Sequence, residues 1–355
     1  MMKAFGPALI CALLVGAAWP HSASRAAEAP ASCAPSGDLS YVCGVSNVED
    51  MVLVPGTAWV IGSSMRTGKK ADAGGDPLYL IDTVHKVARV AAIVVGPEPK
   101  TGPFAGCPAP DMAHLGTHGL ELRAGTGGAH TLYAVNHGAG GRETMEVFKV
   151  EAKGAAAPVL TWTGCTRMPA NSWMNSIAAM PGGGLMLSEF EDLDKIDMVP
   201  VFEGKTTGKT YFWTPAGGFK EFEGGRLSGN NGLLASKDGK TLWINDQGRK
   251  QVIRFALDGS APPVYAKVGF RPDNLRWTPD GKIMAAGQKI EVGGSLGANN
   301  PWGVARVDPQ TMAVTPVLDE PGRPEFSNGT VALQVGDTLW LGNFRGDRVA
   351  YVKLK

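Results

Sequence analysis

The sequence predicts an all-β chain folded as a six-bladed β-propeller with four antiparallel strands per blade. Three observations lead there. The chain holds 48 Gly and 25 Pro among its 355 residues, a composition that suits turns better than long helices. One strand–turn–strand pattern returns six times along it. Before each copy stands a short polar stretch in the same register.

The first copy is Met51–Ser64 (MVLVPGTAWVIGSS) and the second is Leu120–His137. In the second, alternating runs flank the glycine-rich turn 124–130, the mark of a β-hairpin. Ile177–Phe190, Leu233–Asp246, Leu275–Gly287 and Val331–Phe344 repeat it. Each copy is followed by a third alternating run: Leu78–Asp82, Glu146–Val150, Thr210–Thr214, Val252–Leu257, Val304–Asp308 and Arg348–Leu354. A fourth run follows five of them, at Val87–Ile93, Val159–Trp162, Phe219–Phe222, Val264–Val268 and Ala313–Leu318. The spacing, about fifty residues, is that of four-stranded blades. The sixth repeat reaches Lys355 without a fourth strand, so an unpaired edge would remain there. Leu39–Val45 is expected to fill it, closing the ring with an N-terminal strand. A two-sheet sandwich is the rival layout, but six similar hairpins fit radial repetition better.

Residues 1–26 have the pattern of a secretory signal peptide, with Lys3, an apolar run over 8–18 and small residues after it. The apolar run is too short to span a bilayer comfortably, so no stable membrane span is expected. The propeller then occupies 27–355, in a periplasmic or secreted protein. Four cysteines remain beyond the signal, and an even number in an exported chain suggests two disulfides. Three connectivities are open. Cys33–Cys43 with Cys107–Cys165 is preferred, since the first is local and the second braces two long loops. Zinc is a weaker use of them, because no Cys-x-x-Cys pair exists. A formal net charge of +1 gives no basic surface for nucleic acid.

The polar heads are Glu49-Asp50, Thr117-His118, Asn175-Ser176, Asn230-Asn231, Asp273-Asn274 and Asn328. In a propeller the first strand of every blade lines the central channel, so these positions converge at one end of the axis. Carboxylates with Asn oxygens are hard donors that suit Ca²⁺, whereas zinc would want His and Cys. Turn preference alone would explain any single head, but not one register held through most of the repeats. His118 and His137 bound the second hairpin, which brings both to one end of a strand pair.

These residues resemble the paraoxonase/arylesterase family, within the gluconolactonase-like group of six-bladed calcium propellers. The resemblance rests on VEDMVLVP (48–55), THGLEL (117–122), LYAVNH…EVFKV (132–150), NSIAAMPGG (175–183), NNGLLASKDGKTLWI (230–244) and DNLRWTPDGKI (273–283). It implies a catalytic calcium held by Glu49, Asn175, Asn231, Asp273 and Asn274. A second, structural ion would lean on Asp50 and the backbone carbonyl of Thr117, with Ser176 standing where the family has a further carboxylate. His118 would be the general base and His137 its orienting partner.

The expected function is calcium-dependent hydrolysis of lactones and aryl esters, small-molecule substrates, by a water that His118 activates. A gluconolactonase-type sugar-lactone hydrolase and a non-enzymatic periplasmic binding propeller are the alternatives. A serine hydrolase is not indicated, since no Gly-x-Ser-x-Gly elbow is present. Asp246 is a candidate partner for Asn231, and Trp173 and Trp302 are candidate substrate walls. Loops 191–209 and 293–301 are expected to rim the site. His85, His114 and His130 are expected at the solvated surface. Oligomeric state has no signature in the sequence.

Overall fold

Alternation of buried and exposed side chains around a tight turn produces a β-hairpin at all six expected places. The computed structural model describes residues 1–2, 33–66, 77–294, 297 and 299–354. The chain divides into two compact units, Met1–Ser32 and Cys33–Lys355, and every strand among the described residues belongs to the second. Residues 3–26 of the expected signal peptide lie outside the described residues.

The strands form six sheets that follow one another along the chain, antiparallel except for one edge pairing in the second. Their innermost strands are Met51–Leu53, Thr117–Arg123, Ser172–Ala179, Asn230–Ala235, Arg271–Trp277 and Gly329–Val335. Each packs on the innermost strand of the blade before and after it, and the first touches both the second and the sixth. The apolar core therefore lies between blades rather than at the centre. Tyr133, Val135 and Val147 of the second blade pack with Met174, Ile177 and Leu187 of the third. Leu234 and Val252 of the fourth meet Leu275 and Ile283 of the fifth in the same way. That arrangement leaves the axis to polar groups. In the S-K-D-G-K and T-P-D-G-K turns, Gly239 (φ 71°) and Gly281 (φ 76°) take the left-handed conformation that other residues avoid.

Ser40–Cys43 pairs antiparallel with Arg348–Lys353 as the outermost strand of the sixth sheet. The fourth strand of the first blade ends at Val90, short of the expected Ile93. Ile93–Val95 instead runs parallel to Val159–Arg167, giving the second blade a fifth strand. Both disulfides join the preferred pairs, Cys33–Cys43 and Cys107–Cys165, with Cα atoms 6.0 and 5.5 Å apart. No helix among the described residues is long and apolar enough to cross a membrane.

Candidate active site

Five of the six innermost strands lose their pairing register at the head. In the second to fifth blades the skipped residues include ones the sequence singled out: His118-Gly119, Asn175, Asn231-Gly232 and Asp273-Asn274. In the sixth, Thr330 is skipped rather than Asn328. A β-bulge frees a side chain from strict alternation and re-aims it. The glycines make this possible. A Cβ on Gly119 would lie 2.1 Å from the Asn175 carbonyl oxygen, and one on Gly232 would lie 2.5 Å from that of Asp273. Adjacent heads thus approach more closely than any side chain at those positions allows.

Glu49, His118, Asn175, Asn231, Asp273, Gln247 and Gln288 give one cavity its polar lining. Met65, Trp173, Phe190, Met198 and Phe344 line the rest of it. All five residues expected at the catalytic ion are buried. Glu49 Oε2, Asn175 Oδ1, Asn231 Oδ1 and Asn274 Oδ1 have no hydrogen-bond partner. Asp273 Oδ2 accepts from Gln288 Nε2 at 2.6 Å, and Asn274 Nδ2 donates to Glu49 Oε1 at 2.6 Å. Buried oxygens without partners cost free energy, and here four of them come from four different blades. Among the described residues no three His, Cys, Asp or Glu side chains cluster as a metal site, so the set is one of two carboxylates and three amides. Amide oxygens are ordinary ligands of Ca²⁺ and poor ones for softer metals, so the donor set fits calcium.

Burial, and then the neighbouring Asp273 and Asp50, hold the Glu49 carboxyl well above the usual carboxylate range. Burial likewise pushes Asp273 up to about 7. An ordinary unfolded Asp titrates near ~3.9, so between these values the folded state binds more protons and stability falls as pH rises. The chelated protein is therefore expected to melt at lower temperature at pH 8 than at pH 5.5, with calcium removing the difference. Melts in chelator that do not change with pH would contradict this assignment.

Asp50 has a cation of its own. Its carboxylate forms a short ion pair with Arg276 and accepts the backbone N–H groups of Met51 and Leu120, each at 2.8 Å. The Arg276 guanidinium also donates to the carbonyls of Met51, Leu275 and Leu120 at 2.7, 2.9 and 3.0 Å. Both residues are buried. Thr117 stays in the ladder opposite Asn136, its hydroxyl bonded to Pro77 and Ser64. At the place expected for a second ion, the Arg276 guanidinium is the positive charge beside Asp50. Ser176 fits that picture, its hydroxyl buried and unpartnered.

The histidines meet as the hairpin predicts, with His118 Nδ1 2.9 Å from His137 Nε2. On its other side, His118 Nε2 lies 3.5 Å from Glu49 Oε2 and 3.5 Å from Asn175 Nδ2. Burial, and next the His137 ring, hold His118 well below the usual imidazole range, so it is uncharged at neutral pH. Two further contacts were not anticipated. Glu143 Oε2 lies 2.7 Å from His137 Nδ1, and Trp173 Nε1 lies 3.1 Å from His137 Nε2. Pairing across the Ala139–Gly141 turn sets Glu143 opposite His137, a relation that the spacing around the AGG turn could have signalled. The VNH and EVFKV segments are joined below the dyad. Asn136 Nδ2 and Trp162 Nε1 donate to the two buried oxygens of Glu146, at 2.9 and 2.8 Å.

Other expectations divide. Trp173 lines the cavity, and Met198 does so from the short helix Met198–Phe202 within the 191–209 loop. Trp302 is buried against Phe326 and is a core residue instead. Asp246 binds Ser228 N and Gln251 Nε2, so it braces the fourth blade rather than Asn231. His130 is buried and accepts from Gly125 N, while His85 is largely exposed beside Asp82 and His114 is partly exposed beside Asp111. Part of loop 293–301 lies outside the described residues.

No family profile and no curated protein sequence matches the chain. Solved structures do. A luciferin-regenerating enzyme aligns with TM-score 0.52 at 15% identity, over 88% of this chain and 94% of that one. A candidate gluconolactonase aligns with TM-score 0.50 at 17% identity, over 90% and 93%. Regucalcin from Agrobacterium tumefaciens, a calcium-binding protein, gives TM-score 0.49 at 12% identity, over 88% and 93%. At these identities the likeness is one of fold alone, and the fold is a six-bladed propeller.

Proposed function

We propose that this chain is a calcium-dependent hydrolase of lactones and aryl esters, of paraoxonase type, acting in the periplasm or outside the cell. The observation that carries this reading is the group of buried, unpartnered oxygens beside an uncharged His118 in one cavity. Glu49, Asn175, Asn231, Asp273 and Asn274 would hold the ion. When bound, calcium supplies positive charge that polarises a carbonyl and favours negative charge on its oxygen.

The chain's own residues do the rest. Trp173, Phe190, Met198 and Met65 seat the apolar part of the substrate and exclude bulk water. His118 accepts a proton from water at Nε2 as the water oxygen bonds to the carbonyl carbon and the C=O pair moves onto oxygen. Collapse of the tetrahedral intermediate breaks the ring C–O bond, and the departing alkoxide takes the proton back from His118. Water is consumed, and a hydroxy acid results.

The apolar wall favours acyl or aryl lactones over polar sugar lactones. A panel of both classes, assayed with and without chelator, separates the readings. Calcium-dependent turnover of the apolar class is expected. Turnover confined to sugar lactones would favour the gluconolactonase type, and no turnover in either state would favour a binding propeller.

A further inference from the structure

We propose that Glu143 and Trp173 are positioning residues that set the tautomers of His137 and His118, so that His118 presents an unprotonated Nε2 to the cavity. The kinetic consequence rests on the hydrolase reading above. The tautomer assignment does not.

The starting point is the Trp173 indole, whose N–H can only donate. It points at His137 Nε2 from 3.1 Å, so that nitrogen must be an acceptor. The single proton of a neutral His137 ring therefore sits on Nδ1, where Glu143 Oε2 accepts it at 2.7 Å. His118 Nδ1 lies 2.9 Å from the same proton-free His137 Nε2, and must itself be the donor. A neutral His118 then has no proton left for Nε2. The Asn175 amide agrees, turning its Nδ2 toward His118 Nε2 at 3.5 Å and its oxygen away. The reverse arrangement, with a proton on His137 Nε2, would set that N–H against the N–H of Trp173.

Both positioning groups are held by packing. Glu143 is the cross-strand neighbour of His137. Trp173 stands edge-on between His137 and Phe190, with ring centroids 6.0 and 5.5 Å away. As His118 gains a proton at Nε2, its Nδ1–H keeps its bond to His137, and the Glu143 carboxylate is placed to balance the charge through the second ring.

Glu143→Gln replaces an obligatory acceptor with a group that can donate to His137 Nδ1, and Trp173→Phe removes the indole N–H while keeping an aromatic ring. The test combines ¹⁵N spectra of the histidine rings, assigned with His118→Gln, with steady-state kinetics and calcium titration. Wild type is expected to show both rings protonated on Nδ1. Each variant should move His118 toward the Nε2–H form and lower kcat at least about tenfold, part of the ~10²–10⁴ that general-base catalysis contributes. Calcium affinity should stay near wild type in both variants and KM in Glu143→Gln, which a merely misfolded variant would not allow, and Glu143→Asp should recover part of kcat. Wild-type His118 protonated on Nε2 would overturn the inference, as would variants that keep both tautomers and kcat. A wild type that hydrolyses nothing, yet shows two Nδ1–H rings, would sink the hydrolase reading and leave this assignment standing.

Discussion

Replacing His118 by Gln is expected to lower lactone turnover by about 10²- to 10⁴-fold while leaving calcium binding intact. Gln keeps much of the volume and can still bond to His137, but it cannot accept a proton at neutral pH. The imidazole it removes is buried, held neutral by burial, and faces Glu49 and Asn175 through the nitrogen the reaction needs. None of its atoms belongs to the expected donor set, so the metal should remain. Steady-state kinetics beside a calcium titration checks both halves. Turnover at the wild-type rate would remove His118 from the mechanism and leave the water without a base.

Removing the guanidinium of Arg276 should have the largest effect on stability. Arg276→Ala leaves Asp50 buried without its counter-charge, a loss of about 3–5 kcal/mol in comparable sites. The same change frees the carbonyls of Met51 and Leu120, strands of the first and second blades that the guanidinium ties to the fifth. A fall in melting temperature on the order of 10 °C is expected. The double variant Arg276→Met with Asp50→Asn removes both charges and should recover much of the loss. An Arg276→Ala protein that melts with wild type would show that the ion pair contributes nothing to the fold.

Repeats and their heads were legible because strand periodicity and turn chemistry are local. MVLVPGTAWVIGSS and LLASKDGKTLWIND each declare a hairpin within fourteen residues. Their spacing declares blades. The disulfides followed from a short separation and from two loops in need of a brace. Register alone marked the polar heads, and the family resemblance singled out Glu49, Asn175, Asn231, Asp273 and Asn274 among them, each at or beside the start of a strand.

Long-range partners were not legible. Arg276 reads as an ordinary residue of LRWTPDG, and only packing of the first, second and fifth blades reveals it as the counter-charge of Asp50. Trp173 reads as one of nine tryptophans, and Trp302, deemed equal to it by its loop setting, belongs to the core. Glu143 is hidden for a different reason, since its place opposite His137 depends on how Ala139–Gly141 turns. Ile93–Val95 looked like the end of one blade's strand and joined the next blade's edge, because edge pairing is decided by neighbours in space.

By itself, then, the sequence determined the number of blades, the strand order within each, and which polar residues stand at the axis. Those properties depend on alternation and turns, which act over a few residues. Tertiary structure alone decided which of those polar groups are satisfied and which are left open. Hydrogen bonds and ion pairs at the axis join residues far apart in the chain, 226 positions for Asp50 and Arg276 and 281 for Glu49 and Thr330. No local pattern could say that one carboxylate has its cation built in, while oxygens of Glu49, Asn175, Asn231 and Asn274 are left buried without a hydrogen-bond partner.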